Sequence, residues 1–486
     1  MRRWAGVAAM VGLVAAGVSA EDDGTSWRDH VTLSASLRVR GEFVDWFQPP
    51  PGIAPSGAER YDFFGSQLRV GARVLFPHVE VGVEVQDTRL AGLPDDATLA
   101  PPQGSLGTGA LYFLFTPHRS QGETFLKQGF VTLRRAGVSA TVGRFDYRDG
   151  LETVPADPTL AFVKRTRIAE RLVGPFEFTQ VTRSFDGGRL VYDDALWNVT
   201  ALAVRPTRGG FEVSANRDVD HVGIAGLAFT LKRLPVPGPP VDLRLFYLYY
   251  DDRRRDVLKV DNRPLPVRSG DHDPIAIQTI GAHGLTALDA GPGIVDLLAW
   301  AVAQSGDWGT LQQSAWAYAL EAGYQLPRLP GAPWLRVGID RSSGDDDPND
   351  GAHGTFFQLL PTARTYAQLP FFNLMNTQDV FTSLILRPHP IVTLRTDYHW
   401  LRVTEGRDLW YAGGGAQNAD LFGYSGSPAL GRHDLAQLVD LAISITVTRQ
   451  VTFGGYFGHA FGGGVVGQSF VGRDTNYGFV EMTLRY

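Results

Sequence analysis

The sequence of 486 residues contains no cysteine, which excludes a disulfide framework, a thiolate metal site and a cysteine nucleophile. It also lacks an excess of positive charge, and the formal net charge of −6 at pH 7 disfavours non-specific binding to nucleic acid. The mean hydropathy of −0.09 excludes a bundle of membrane helices. No Ser/Gly linker or charge block divides the chain into domains, so one large closed structure is expected.

The apolar stretch at the N-terminus is too short for a permanent membrane anchor, which needs about 20 apolar residues. Residues 1–20 carry two arginines near their start, continue with an apolar core and end on small residues, and acidic residues follow at once. This order is typical of a secretory signal peptide cleaved after Ala20. We therefore predict a signal peptide over residues 1–20 and a single domain over residues 21–486.

What the sequence has in abundance is alternation of apolar and polar residues. The pattern is clear over residues 31–43, 67–74, 79–86, 316–324 and 391–400. A helix does not tolerate this period, whereas a strand with one apolar and one polar face requires it. Strands of soluble sandwiches are typically about five or six residues long. Many of these segments are longer and approach the roughly 9 to 11 residues with which a tilted strand crosses a bilayer.

The alternating segments predict about 18 strands, an even number as in single-chain bacterial barrels. Their expected starts are residues 31, 61, 78, 122, 137, 180, 195, 220, 241, 276, 294, 312, 333, 379, 391, 435, 450 and 475. Short links alternate with long polar or glycine-rich segments near residues 91–121, 147–179, 251–275, 343–378 and 404–433. Outer-membrane barrels show the same alternation of short periplasmic turns and long extracellular loops.

The C-terminal strand supports this interpretation. Residues 478–486 alternate and end on the aromatic Tyr486, the kind of address that barrel-assembly machinery reads in outer-membrane proteins. The predicted fold class is all-β, a transmembrane antiparallel β-barrel of about 18 strands with short periplasmic turns and long extracellular loops. We expect it in the outer membrane of a Gram-negative bacterium, with outer-membrane lipid and the assembly machinery as partners.

From residue 121 onward the chain resembles the alginate export family of outer-membrane porins. The resembling segments are Phe125–Val131, Val142–Arg144, Phe185–Leu190 and Ser343–Gly351, and Gly354–Thr362 follows the last of them. The resemblance implies an 18-stranded barrel with an arginine-rich constriction that passes a polyuronate outward. It adds an anionic polysaccharide and periplasmic export proteins to the expected partners.

The strand pattern also predicts which side chains line the pore. If the apolar residues of each strand face lipid, the residues that alternate with them face the pore, and many of these are arginines. A guanidinium group presents a planar fork of hydrogen-bond donors that matches a carboxylate. Charged rings in a narrow pore select by sign. The candidate substrate-binding residues are Arg38, Arg40, Arg69, Arg73, Arg134, Arg189, Arg244, Arg336, Arg395 and Arg485 on strands, and Arg364 in the loop after the thirteenth strand.

Each candidate has an alternative interpretation. The strand arginines would instead pair across the wall and fill the lumen, with Glu42, Glu80, Glu84, Asp242, Glu321, Asp340, Asp397 and Glu481 as partners. Arg364 would be a surface charge of its loop. The function predicted is passive passage of an alginate-like polyuronate, and the alternatives are a general or small-anion porin, a barrel enzyme and a plugged surface scaffold.

Other chemistry finds weaker support. Asp345, Asp346, Asp347, Asn349 and Asp350 could hold Ca²⁺ in their loop, although the spacing is not that of an EF-hand, and a solvated outer loop is the alternative. Residues 462–467 match G-x-G-x-x-G but link two strands and open no helix, so a dinucleotide site is not expected. Asp397 and His399 share the lumen face without a serine or carboxylate suited to catalysis beside them. No enzyme activity, cofactor or nucleic-acid partner is predicted.

Overall fold

The computed structural model describes residues 30–362 and 367–486, which form a closed antiparallel barrel of 18 strands. The predicted signal peptide and Arg364 lie outside the described residues. The barrel strands are β1 Val31–Asp45, β2 Arg60–Leu75, β3 Val79–Ala91, β4 Ser120–Arg135, β5 Val138–Phe145, β6 Phe185–Asp193, β7 Trp197–Pro206, β8 Val222–Leu231, β9 Val241–Asp252, β10 Ile275–Ala290, β11 Gly293–Trp308, β12 Leu311–Gln325, β13 Trp334–Ser342, β14 Thr377–His389, β15 Val392–Val403, β16 Asp434–Thr446, β17 Val451–Gly462 and β18 Asp474–Arg485.

Each strand pairs with its neighbours in sequence, and β1 closes the barrel by pairing with both β2 and β18. The predicted fold class is therefore confirmed. Of the predicted strand starts, only that of β6 differs by more than two residues, at Phe185 instead of residue 180. Gln180, Thr182 and Ser184 imitate strand alternation, but this segment turns into the lumen, where the Gln180 carbonyl accepts a hydrogen bond from the Gln67 amide.

The alternation separates a lipid face from a lumen face as expected. Leu245 and Ile280 are 64% and 65% exposed on the outer surface, whereas their sequence neighbours Arg244 and Thr279 are buried inside. Strands such as β10 and β11 have 16 residues each. At about 3.3 Å per residue they exceed the roughly 30 Å of hydrocarbon even when tilted, so their ends project beyond the membrane.

The connections alternate in length around the barrel. One end has short turns such as Ala136 and Gly137, whose positive φ angles of 49° and 81° suit a two-residue hairpin. The other end has the long loops, apart from the two-residue link between β11 and β12. The short-turn end is the periplasmic one, because outer-membrane barrels keep their long loops outside.

The long loops contain the few helices of the described residues. They are α1 Thr108–Phe115, α2 Pro158–Val163 and α3 Leu265–Ser269. A π turn, Lys164–Ile168, continues α2, and a 3-10 turn, Val466–Gln468, lies in the loop before β18. Asp157 caps α2 by accepting a hydrogen bond from the Leu160 amide. In the described part of the chain, no helix is long and apolar enough to cross a membrane.

Two loops fold into the barrel and fill much of it. The first inner loop comprises residues 146–184, and the second inner loop comprises residues 343–376, of which 363–366 are not described. Their backbones are joined by hydrogen bonds: the Gly174 amide donates to the Leu360 carbonyl over 2.9 Å, and the Leu360 amide to the Leu172 carbonyl over 2.8 Å. Leu172 and Leu360 are fully buried, so part of the hydrophobic core lies inside the lumen.

Candidate functional site: the charged lumen

Arginines of the wall hold the first inner loop in place. Arg38 donates to the carbonyls of Glu177 and Thr179, and Arg69 pairs with the Glu177 carboxylate over 3.5 Å. On the far side of the barrel, Arg244 binds the Asp149 carboxylate at 2.7 Å and the Glu152 carboxylate at 2.6 Å. These candidate pore-lining residues therefore face the lumen, where their partners are loop atoms.

The loop in turn supplies cations to acids of the wall. Lys164 binds Asp242 at 2.8 Å, and Arg167 and Arg171 bind Glu321 and Asp340. These three acids were expected to pair with wall arginines, but among the described wall arginines only Arg336 reaches one of them, Glu321 at 2.9 Å.

The sequence analysis missed Lys164, Arg167 and Arg171, because a loop lacks the alternation that assigns each strand residue to the lipid or the lumen face. A clue was present, since positions 164, 167 and 171 have the i, i+3, i+7 spacing of one helix face after the capping pair Asp157 and Pro158. Lys127 was missed for another reason. A register shift between β3 and β4 leaves Lys127 as an extra residue and turns it into the lumen, where it binds Asp146 at 2.6 Å.

Other predicted arginines pair across the wall, as the alternative interpretation expected. Arg40 is 1% exposed and binds Glu481 at 2.6 Å, and Glu42 lies 3.8 Å away. Arg395 binds Asp397 on the same strand.

Arg336 is also compensated by carboxylates of the wall, because it binds both Asp296 and Glu321. Positive charge around Arg40, Arg336 and Arg395 is therefore largely neutralised. The last strand candidate, Arg485, is exposed at the short-turn end of β18.

One part of the lumen retains uncompensated positive charge. The entrance cavity, of about 320 Å³ near the short-turn end, is lined by three arginines, Arg73, Arg134 and Arg189, and by Glu80 among other residues. Arg73 and Arg134 share the single carboxylate of Glu80. Arg189 forms no ion pair with a described residue, and its Nε has no hydrogen-bond partner there. Asp146 also lines the cavity but is neutralised by Lys127. The guanidinium groups therefore exceed the available carboxylates by two.

The outer end of the lumen is different in chemistry. The outer chamber, a cavity of about 380 Å³, lies between the two inner loops and the loops 92–119, 207–221, 253–274 and 404–433. Its lining is mostly apolar and aromatic and includes Phe176, Phe211 and Phe422, with Asp420 as its charged residue. No arginine belongs to the described lining.

In the acidic segment, residues 345–350, carboxylate oxygens accept hydrogen bonds from backbone amides of the same loop. Asp347 accepts a hydrogen bond from the Asn349 amide at 3.0 Å, and Asp350 accepts one from the Ala352 amide at 2.8 Å. Asp345 is buried, and burial raises its pKa to about 6. Within the described residues, no three carboxylates of this loop bring ligand atoms within 4.8 Å of one another. Calcium binding here stays a prediction.

The comparisons with known proteins agree with this architecture. A family model described as "Alginate export" matches residues 33–479. Among curated proteins, no match was found.

Solved structures with a similar fold include outer-membrane porins. A BenF-like porin from Pseudomonas fluorescens has a TM-score of 0.59 at 9% identity, with 95% of this chain and 100% of that chain covered. OccAB2 from Acinetobacter baumannii has a TM-score of 0.58 at 10% identity, with 95% of this chain and 99% of that chain covered. The outer-membrane protein OpdK from Pseudomonas aeruginosa has a TM-score of 0.52 at 10% identity, with 94% of this chain and 99% of that chain covered.

Proposed function

Because the chain belongs to the alginate export family, we propose that it passes an anionic polysaccharide, an alginate-like polyuronate, passively through an arginine-lined lumen. Family and fold are those of an outer-membrane channel in a Gram-negative bacterium. The proposal adds the solute and the residues that attract it, and it assigns transport without catalysis.

The observation that carries the proposal is the charge imbalance of the entrance cavity. Three guanidinium groups face one available carboxylate, and Arg189 forms no ion pair with a described residue. A guanidinium presents a planar fork of donors that matches a carboxylate. A polyuronate carries one carboxylate per sugar, so successive sugars would occupy successive guanidinium groups.

Release follows from the acids beside these arginines. Glu80 competes with a solute carboxylate for Arg73 and Arg134, which keeps each contact weak enough to exchange. Deeper in the lumen, Arg38, Arg69 and Arg244 are bound to the first inner loop. We propose that displacement of this loop by the polymer exposes them in turn.

The proposal also assigns partners by position. The entrance cavity lies at the periplasmic end, so periplasmic export proteins would deliver the polymer there. The barrel-assembly machinery would insert the chain, with the C-terminal strand β18 as its address.

Planar-bilayer conductance tests the proposal. We expect anion selectivity and a current that a polyuronate of several sugars blocks. Arg189→Glu should raise the half-blocking concentration about tenfold to a hundredfold, because a charge-assisted hydrogen bond contributes about 1.5–3 kcal/mol. Arg233→Gln is the control, since Arg233 is exposed on the turn after β8, at the same end but outside the lumen. Cation selectivity, or block unchanged in Arg189→Glu, would refute the proposal.

A small-anion porin is the second candidate, and the cavity sizes favour it. The entrance cavity of about 320 Å³ suits a single small carboxylate. OpdK, which has a similar fold, has been solved with vanillate, a small aromatic carboxylate. Equal block by a monomeric uronate and by the polymer, compared at the same carboxylate concentration, would favour this candidate over polymer passage.

A further inference from the structure

A group of metal-ligating side chains lies in the lumen, away from the entrance cavity. Asp397 and His399 on β15 and Asp440 on β16 each place one ligand atom within 4.8 Å of the others. In residues 30–362 and 367–486 this is the only group of three such side chains. His399 and Asp440 are 1% exposed and Asp397 is 5% exposed. The group is therefore enclosed by the wall and not a solvated acidic patch.

The strand register makes this group of side chains electrostatically unfavourable unless a proton or a cation is bound between the carboxylates. Asp397 and Asp440 are directly opposite each other on neighbouring strands, and like charges at such positions repel. Asp379 on β14 adds a third carboxylate. Arg395 binds Asp397 and is the only strand cation bound to a member of the group among the described residues. Three carboxylates thus face one strand guanidinium unless a proton or cation is bound, since Arg167 of the first inner loop, which also interacts with Asp379, is paired with Glu321 and Asp340.

Two atoms of the group have no partner for their lone pairs. Nε2 of His399 and Oδ1 of Asp440 are buried and form no hydrogen bond with any described residue. The other ring nitrogen of His399, Nδ1, lies 2.8 Å from Asp379 Oδ2. A carboxylate in this position orients a histidine so that its free nitrogen faces a metal, an arrangement common around protein-bound zinc.

We propose that Asp397, His399 and Asp440 form a divalent transition-metal site, with Asp379 positioning His399. One imidazole nitrogen and two carboxylate oxygens suit Zn²⁺, whereas Ca²⁺ and Mg²⁺ prefer oxygen ligands alone. Ligand atoms around a tetrahedral Zn²⁺ lie about 3.3 Å apart, so the three side chains, whose ligand atoms lie within 4.8 Å of one another, would rotate inward around the ion. The Arg395 side chain, 26% exposed, binds Asp397 at the border of the site.

The bound ion would connect β15 and β16 and would replace the repulsion between Asp397 and Asp440 by two bonds to one cation. It would also add positive charge to the side of the lumen whose wall carries Glu321, Asp340 and Asp379. The Tyr456 hydroxyl, which donates to Asp440 Oδ2 at 3.2 Å, holds that carboxylate from the next strand, β17.

Zinc titration of the untagged, detergent-purified barrel after treatment with a chelator tests the site. We expect one Zn²⁺ per chain by calorimetry and by metal analysis after desalting. His399→Gln and Asp440→Asn should abolish stoichiometric binding. Asp379→Asn should weaken it about tenfold to a hundredfold, the usual effect of losing the carboxylate behind a histidine ligand.

His283→Gln is the matched control. His283 on β10 is also buried, and its Nε2 lies 2.7 Å from the Asp242 carboxylate, but Lys164 already neutralises that carboxylate. Heat-modifiable migration on gels identifies the variants that remain folded barrels, and only those are compared. Absence of stoichiometric zinc in the wild type, or equal loss in His283→Gln, would overturn the proposal.

Discussion

At the scale of single residues, the ion pair between Arg40 and Glu481 spans the seam at which β1 and β18 close the barrel. The two residues are direct partners between β1 and β18, and Arg40 also donates to the Phe178 carbonyl of the first inner loop over 2.8 Å. Removing one member of a buried pair leaves an uncompensated charge, which typically costs about 3–5 kcal/mol. We therefore expect Arg40→Ala to lower the free energy of unfolding by about that amount, measured by urea unfolding in lipid vesicles.

An exposed ion pair at the outer end of β1 and β2 provides a control for Arg40→Ala. Arg60 pairs with Asp45 at 2.8 Å, but the Arg60 side chain is 71% exposed. Exposed pairs contribute about 0–1 kcal/mol, so Arg60→Ala should change stability very little. A loss for Arg40→Ala no larger than for Arg60→Ala would show that the closing seam does not depend on this pair.

At the scale of elements, a buried carboxyl joins the second inner loop to the loop 404–433. Asp408 accepts hydrogen bonds from the Asp345 amide at 3.0 Å, the Thr355 hydroxyl at 2.6 Å and the Tyr411 hydroxyl at 2.7 Å. Burial raises its pKa from the ordinary value of 3.8 to about 7. Because the folded pKa is the higher one, the neutral acid favours the packed loops. This contribution is complete below about pH 4 and is lost as the pH rises to about 7.

Hydrogen exchange of residues 404–433 measures this dependence. Protection should fall by up to about tenfold per pH unit between pH 4 and 7, after correction for intrinsic exchange, because one pKa unit corresponds to about 1.4 kcal/mol. Asp408→Asn, which keeps a neutral side chain of the same shape, should flatten the profile. Asp345, whose pKa is raised to about 6, acts in the same direction, so Asp345→Asn should remove a smaller part. An unchanged slope in Asp408→Asn would contradict the assignment.

The elements also show where sequence reasoning succeeds and where it ends. Strand parity placed Arg40, Arg244 and Arg395 on the lumen side, because a barrel wall has only two faces. Parity does not identify a partner, and Arg244 binds Asp149 and Glu152 of a loop that carries no periodic pattern. Lys127 was not predicted to face the lumen, because a single β-bulge reverses the inward and outward alternation of the residues beyond it.

At the scale of the whole molecule, the 18 strands were predictable because each one must present an apolar face to lipid, and its own sequence shows that alternation. The filling of the lumen was not, since it depends on contacts between segments far apart in the sequence. The hydrogen bonds of Leu360 with Gly174 and Leu172 are an example. Their formation requires the closed barrel around them, and no local pattern near these residues indicates it.

The two ends of the lumen differ, and this asymmetry leads to a prediction about direction. The entrance cavity at the periplasmic end has three arginines, whereas the described lining of the outer chamber is aromatic and apolar with Asp420 and no arginine. A polyuronate should therefore be captured mainly from the periplasmic side. With barrels inserted in one known orientation, we expect half-block at a concentration about tenfold lower from that side, because capture of one carboxylate contributes about 1.4 kcal/mol or more.

Salt separates this effect from simple differences in access. Raising ionic strength from 0.1 to 1 M shortens the screening length from about 10 Å to about 3 Å, so the periplasmic preference should shrink if charge causes it. Phe211→Ala in the outer chamber should leave periplasmic block unchanged, whereas Arg189→Glu should bring the two sides closer together. Equal block from both sides of the wild-type channel at low salt would show that the entrance cavity does not set the direction of capture.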